Sequence, residues 1–261
     1  MISNNLLFKD LTVCVQFLSR FPIPEILANH DKPDFKRSSR MFPVAGFLIA
    51  IPAISAMVLL GLLNVPPMAV AAVTIAIQLA VTGALHEDGL ADCADGFGGG
   101  RTREDKLTIM KDSRVGAFGV AASIMALILR FALLTALIEV SLLAGILAYL
   151  ASQMLSRAVQ VYFWQSLPLA RQDGLAASFG QPDERAMTWA LATGIISALT
   201  LTFFAFPALS VFIGMVIVII ALIAFRTLCI KQINGQTGDT IGAIQIITEI
   251  AFLIGLTTFN T

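Results

Sequence analysis

The chain has 261 residues, 57% of them hydrophobic and only 13% charged, with a formal net charge of zero at neutral pH. Soluble domains carry about 25% charged residues, so this composition leaves too little polar surface for a water-facing globule, and a mean hydropathy of +0.84 points the same way. The zero balance supplies no basic field for nucleic acid, and three cysteines with no C-x-x-C pair argue against a disulfide framework or a zinc site.

In chain order, the region 1–40 opens with an apolar stretch, Leu6–Phe21, interrupted by Lys9, Asp10, Gln16 and Arg20. That pattern predicts an amphipathic helix at a membrane interface. Seven apolar segments then approach the length of about 20 residues that a bilayer requires. The first two are Met41–Leu62 and Pro66–Leu85.

The loop 86–116 follows, and its first part places Glu87, Asp88, Asp92 and Asp95 among several glycines. On a helix, Asp88 and Asp92 are four residues apart and Asp92 and Asp95 three, so these three share one face. Crowded carboxylates repel one another, and a hard divalent cation relieves the repulsion. Mg²⁺ takes oxygen ligands, usually one or two carboxylates completed by substrate phosphates. Asp88, Asp92 and Asp95 are therefore candidate metal ligands. Glu87 projects off the shared face and is left out. His86 is either a general base or an interfacial anchor. The loop goes on through Arg101 to Met110-Lys111-Asp112-Ser113-Arg114. Arg101, Asp112 and Arg114 are candidate substrate contacts, the planar guanidinium fork suiting phosphate. Lys111 and Arg114 could equally be basic anchors before the next span.

The spans Ala117–Ile138 and Ser141–Phe163 each contain one arginine, Arg130 and Arg157. Charge is expensive in lipid, so each should face the bundle interior, pair, or snorkel. Arg157 either snorkels or holds a substrate phosphate. The spans Met187–Phe206 and Ala208–Phe225 lead to a second polar motif, residues 234–242, which contains Gly235, Thr237, Gly238 and Asp239. Asp239 is a partner for the first acidic cluster, or simply a favourable acid at a helix start. The last span, Ile241–Phe259, is interrupted by Glu249, a candidate partner for Arg130.

Connections alternate between short and long. The long segments 1–40, 86–116, 164–186 and 226–240 hold 15 of the 17 Lys and Arg residues, and the short turns hold none. The positive-inside rule places the long segments, the acidic loop and the N-terminus in the cytoplasm. The chain reads as one all-α integral membrane domain over 1–261, a polytopic bundle of about seven spans in contact with membrane lipid.

The acidic loop His86–Gly96, the run Met110–Arg114 with Gly116, and Gly235-Gln236-Thr237-Gly238-Asp239 resemble the cobalamin synthase family, the adenosylcobinamide-GDP ribazoletransferases. So do Phe17–Pro24, Phe42-Pro43 with Gly46, and Ser156-Arg157. Position 87 is Glu where family members often have Leu, and position 234 is Asn where Gly is common. The resemblance implies a Mg²⁺-dependent transferase in the bacterial cytoplasmic membrane, its active site facing the cytoplasm. It would join adenosylcobinamide-GDP to α-ribazole or α-ribazole 5′-phosphate and release GMP. Mg²⁺ held by some of Asp88, Asp92, Asp95 and Asp239 would bridge the diphosphate, with Asp88, Asp92 or His86 in the proton transfer. Two rivals are weaker. CDP-alcohol phosphotransferases share Asp92-Cys93-Ala94-Asp95-Gly96, but Gly99-Gly100 stand where they need Ala-Arg. A transporter would gather its polar residues at the midplane.

Overall fold

A computed structural model describes residues 6–22, 34–174 and 178–259. Ile23-Pro24 of the opening motif and residues 25–33 of the N-terminal region lie outside the described residues. The described part is all-helical apart from a single bridge between Leu169 and Gln236.

Helix α1 (Leu6–Leu18) is the expected N-terminal helix. Its acid does not face water, however: Asp10 is 2% exposed. Arg37 and Arg40 donate to it at 2.8 and 2.7 Å. Arg37 sits in the short helix α2 (Phe35–Ser38) and Arg40 in the 3-10 turn that follows, so one buried carboxylate ties α1 to the start of the first span.

The seven expected spans correspond to seven helices. They are α3 (Phe42–Leu62), α4 (Pro67–Thr82), α7 (Ala117–Val140), α8 (Leu142–Ser166), α9 (Glu184–Thr202), α10 (Ala208–Ile233) and α11 (Gly238–Leu256). By length and composition, five of them can cross a membrane unaided: α3 with the turns before it, α7, α8, α10 and α11. A sixth crossing needs α4 taken together with α5 (Leu85–Gly99), which bends away at 87°. The bend follows from the backbone: Gly83 and Ala84 have φ of 64° and 57°, which ends α4 and re-aims the chain. The remaining helix, α9, has 19 residues and begins with Glu184 and Arg185, which lower its apolar content.

The long loop expected after the second span is itself largely helical. It holds α5 and then α6 (Arg103–Ile109), whose start is fixed by a capping box between Thr102 and Asp105. Other helices also start on a side-chain cap: Asp34 for α2, Ser141 for α8, Asp183 for α9 and Thr237 for α11.

Helices α8 and α11 form the centre and bury most of their residues, whereas α3, α7 and α10 leave most of theirs on the outside. Small residues set the spacing: Gly255 of α11 lies against Gly214 of α10, and Gly194 of α9 against Ala158 of α8. In lipid, such close backbone approach replaces the hydrophobic drive that packs soluble helices. Outward side chains such as Leu62, Ile196, Phe212 and Ile220 are at least 60% exposed and suit acyl chains.

Two of the charges within spans, Arg130 and Glu249, are paired. Arg130 donates to Glu249 at 2.9 Å, as the sequence suggested, and to Glu87 at 2.7 Å, which it did not. Gln245 donates to Glu249 at 3.0 Å and to Ser156 at 3.0 Å, which joins the triad to α8. Replacing one member strands the others. Arg130→Met should therefore lower unfolding stability in detergent by about 3–5 kcal/mol. Adding Glu87→Gln and Glu249→Gln to it should restore most of the loss. Equal stability of Arg130→Met and the parent would show that the triad holds nothing together.

Candidate active site

The acidic helix α5 packs between α7 and α11. Glu87 meets Arg130 well inside α7, while both oxygens of Asp95 accept from the first residues of α7: Gly116 N–H at 2.6 Å and Gly119 N–H at 2.8 Å. Helix α5 therefore runs antiparallel along α7. Against α11 the approach is closer still. A Cβ on Gly89 would lie 2.7 Å from the Asp239 carbonyl oxygen, and Gly242 of α11 faces the backbone of Leu85 and His86. Only a residue without a side chain fits at 89.

This contact brings the two sequence motifs together. A cavity of about 270 Å³ opens where they meet, and His86, Asp88 and Gly89 line it from α5, Gly238 and Asp239 from α11. Asp92, one turn further along α5, is half-buried and lies in the field of Asp239, Asp88 and Asp95. Of the predicted acidic face, Asp88 and Asp92 lie toward the second motif, whereas Asp95 is taken up by the start of α7.

The remaining candidates separate into three groups. Asp95 sits at the N-terminus of α7, where its charge favours the helix start. Thr237 and Gly235 shape the backbone: the Thr237 hydroxyl caps α11 and donates to Asp239 at 3.1 Å, and a Cβ on Gly235 would run into the Pro168 carbonyl. Arg101 and Arg114 are exposed and Asp112 is half-buried; none of the three lines the cavity, and Asp112 and Arg114 pair with each other at 2.7 Å. The Arg114 guanidinium holds the Asp112 carboxyl at about 2.

Arg157 is fully buried on α8. Its Nη1 donates to the Gln153 side-chain oxygen at 2.6 Å, while Nε and Nη2 have no partner among the described residues. It lies within electrostatic reach of His86, whose Nε2 is also buried without a partner.

Sequence reasoning missed Arg171. It lines the cavity and donates to Asp239 at 3.4 Å. Its loop is pinned by Ala170 N–H to Gln236 O at 2.9 Å, Gln236 N–H to Pro168 O at 2.8 Å, and Arg103, which donates to the carbonyls of Ile233 and Ala170. No local signal marks Arg171, because its loop joins the site through these long-range bonds alone.

Among the described residues, no three His, Cys, Asp or Glu side chains already stand in metal-ligating geometry. The donors present still suit Mg²⁺, which binds through one or two carboxylates and fills its shell with water and substrate phosphate. Asp88 and Asp239 share the cavity, and among the described residues that line it Arg171 is the cation that offsets them.

Comparison with known proteins gives one consistent picture. Residues 10–257 match the family described as cobalamin-5-phosphate synthase. An adenosylcobinamide-GDP ribazoletransferase of Sinorhizobium medicae is 44% identical over 248 residues, covering 94% of this chain and 95% of that protein. One of Rhizobium etli (strain CIAT 652) is 46% identical, covering 95% and 96%, and one of Brucella ovis is 37% identical, covering 98% of both. No solved structure matches the chain.

The close contact at Gly89 has a measurable consequence. Gly89→Ala must push α5 off α11, an overpacking that should cost about 1–3 kcal/mol in detergent unfolding. Gly242→Ala, whose Cβ would meet nothing nearer than 3.5 Å, should be tolerated. Equal tolerance of both would mean that the two helices are not in backbone contact.

Proposed function

The chain belongs to the cobalamin-5-phosphate synthase family, and on that premise we propose that it is an adenosylcobinamide-GDP ribazoletransferase acting at the α5–α11 cavity. It joins adenosylcobinamide-GDP to α-ribazole or its 5′-phosphate in the last assembly step of cobalamin. The observation that carries the assignment to this cavity is the convergence of His86, Asp88, Asp239 and Arg171 on it from three separate parts of the chain.

With α-ribazole or its 5′-phosphate, a ribose ring hydroxyl, which both acceptors carry, attacks through its oxygen the phosphorus nearer the corrinoid arm. The bond from that phosphorus to the bridging oxygen breaks, and GMP departs with the bridging oxygen. The proton of that hydroxyl passes to His86, whose Nε2 has no competing partner among the described residues. Arg171 is placed to hold the diphosphate, since its 3.4 Å contact to Asp239 is long for a charged pair. Arg157, beneath His86, adds positive potential to the floor. Asp88, Asp92 and Asp239 would hold Mg²⁺, which when bound offsets charge on the diphosphate and the leaving GMP. Asp95 keeps α5 in register with α7. Arg101, Asp112 and Arg114 then lie outside the reacting centre, on the surface that a corrinoid far larger than the cavity would cross.

The protein is a multi-pass membrane protein, and the split of basic residues supports a bacterial inner-membrane location with the cavity on the cytoplasmic side. Single cysteines at Asn64 and Gly99 in a thiol-free background test this with an impermeant reagent on intact cells. Labelling is expected at Asn64, and labelling at Gly99 alone would reverse the topology.

The reaction itself is tested by GMP release from purified protein in lipid, given adenosylcobinamide-GDP and α-ribazole with and without Mg²⁺. Turnover should require both substrates and the metal. Asp88→Asn, Asp92→Asn and Asp239→Asn should each lower it by orders of magnitude, about 100-fold or more, with thermal unfolding unchanged or slightly raised as repulsion is relieved. Near-normal turnover of these variants at low Mg²⁺ would remove them from the metal site.

A further inference from the structure

The cavity has two chemically different ends. One carries the carboxylates, His86 and Arg171. The other is walled by Phe17 of α1, Trp164 of α8 and Phe179 of the following loop. Phe17 and Phe179 meet edge to face, with ring centroids 5.6 Å apart and an interplanar angle of 79°. Behind them Phe35, fully buried, touches all three rings, at 4.7 Å from Phe17, 5.6 Å from Trp164 and 5.3 Å from Phe179. This backing ring fixes the wall. Gln181 helps by donating to the Trp164 and Leu167 carbonyls at 3.2 and 2.6 Å, which ties the loop of Phe179 to the end of α8.

Two polar atoms interrupt the apolar end. The Trp164 indole N–H and the Gln160 side-chain oxygen are buried with no partner among the described residues. A buried tryptophan N–H ordinarily finds an acceptor, and leaving one unpaired is unfavourable. Both residues line the cavity, so a molecule within it is the natural source of the missing partners.

We infer that this aromatic end is the binding site for the base of α-ribazole, with its ribose directed to His86 and the carboxylates. The inference rests on the reaction proposed above and adds which substrate the cavity takes. α-Ribazole carries a dimethylated benzimidazole: a flat, mostly apolar bicycle with a single ring nitrogen free to accept a hydrogen bond. Aromatic walls suit its faces, and the lone indole N–H of Trp164 suits that nitrogen. Guanine presents two donor groups and a carbonyl along one edge, which this wall with a single N–H does not match. Size agrees: about 270 Å³ is small for a ligand site. It has room for a nucleoside and none for a corrin macrocycle. The chemistry agrees too, since a nucleoside held by its base at one end delivers its ribose hydroxyls to the polar end, where the phosphorus must be met.

The test uses the protein's own fluorescence. It has two tryptophans, and Trp189 is 59% exposed on α9 and does not line the cavity. In full-length Trp189→Phe protein in nanodiscs, Trp164 is the sole emitter. Adding α-ribazole should quench or shift its emission saturably, and GMP should not. In turnover, Phe17→Ala and Trp164→Phe should raise KM for α-ribazole about tenfold, the scale of one lost base contact. KM for adenosylcobinamide-GDP should stay within about twofold. A response to GMP but not to α-ribazole, or a rise confined to KM for adenosylcobinamide-GDP, overturns the inference. Turnover with emission unchanged by saturating α-ribazole overturns it and leaves the reaction standing. Quenching by α-ribazole without any GMP release supports the pocket and sinks the reaction. The titration needs no substitution at the cavity, so it stands even where Trp164→Phe fails to fold.

Discussion

At Gly89, helix α5 comes so close to α11 that no side chain fits between them. Two motifs about 150 residues apart become one site through that contact. Asp88 and His86 flank the glycine on α5, and Asp239 is the residue it touches on α11. A side chain at 89 would separate the helices, open the cavity and take Asp88 away from Asp239. The constraint also explains the bend before α5. Helix α4 has to end at Gly83 and Ala84 and the chain has to turn by 87° for α5 to reach this groove.

Holding an acidic helix in this place is costly, and the surrounding charges show how the cost is met. The acids of α5 divide among three tasks. Glu87 answers Arg130, which also answers Glu249. Asp95 answers the unpaired N–H groups at the start of α7. Both are local partners that compensate a desolvated charge. Among the described residues, Asp88 and Asp92 have no such fixed cation, and Asp239 meets Arg171 only at a long 3.4 Å. The uncompensated carboxylates are thus the ones nearest the cavity, where a cation and substrate can act. The buried Asp10 follows the same rule with two arginines and secures α1, which carries Phe17 into the cavity wall.

Much of this was legible in the sequence. Composition and segment length identified the membrane bundle, and the spacing of Asp88, Asp92 and Asp95 identified a helical face. The resemblance identified the family. The pairing of Arg130 with Glu249 followed from the expense of charge in lipid. Legibility failed where the deciding contact is long-range. Glu87 looked uninvolved because its helical direction was known and its neighbour Arg130 was not. Asp95 shares the face of Asp92, yet its hydrogen bonds depend on where α7 starts. Arg171 sits in a loop with no periodicity, and its place depends on the bridge of Leu169 to Gln236. Asp112 and Arg114 satisfy each other two residues apart, and a short-range pair of that kind has no need of a site.

Helix α8 shows how a membrane protein can keep polar atoms ready for a ligand. Tyr149, Gln153, Arg157, Gln160 and Trp164 recur at helical spacing, and all are buried. Toward the middle of the bundle they are linked: Tyr149 donates to Gln78 at 2.8 Å, Gln78 to Gln153 at 3.1 Å, and Arg157 to Gln153 at 2.6 Å. Nearer the cavity the links run out, and Arg157, Gln160 and Trp164 each keep an atom without a partner among the described residues, as does His86 opposite. If these side chains served folding alone, apolar residues of similar size would do as well or better. Of these, His86, Gln160 and Trp164 line the cavity that both acidic motifs reach. The linked part of the ladder holds α8 rigid, and the unlinked part keeps hydrogen-bonding capacity for a molecule that enters from outside.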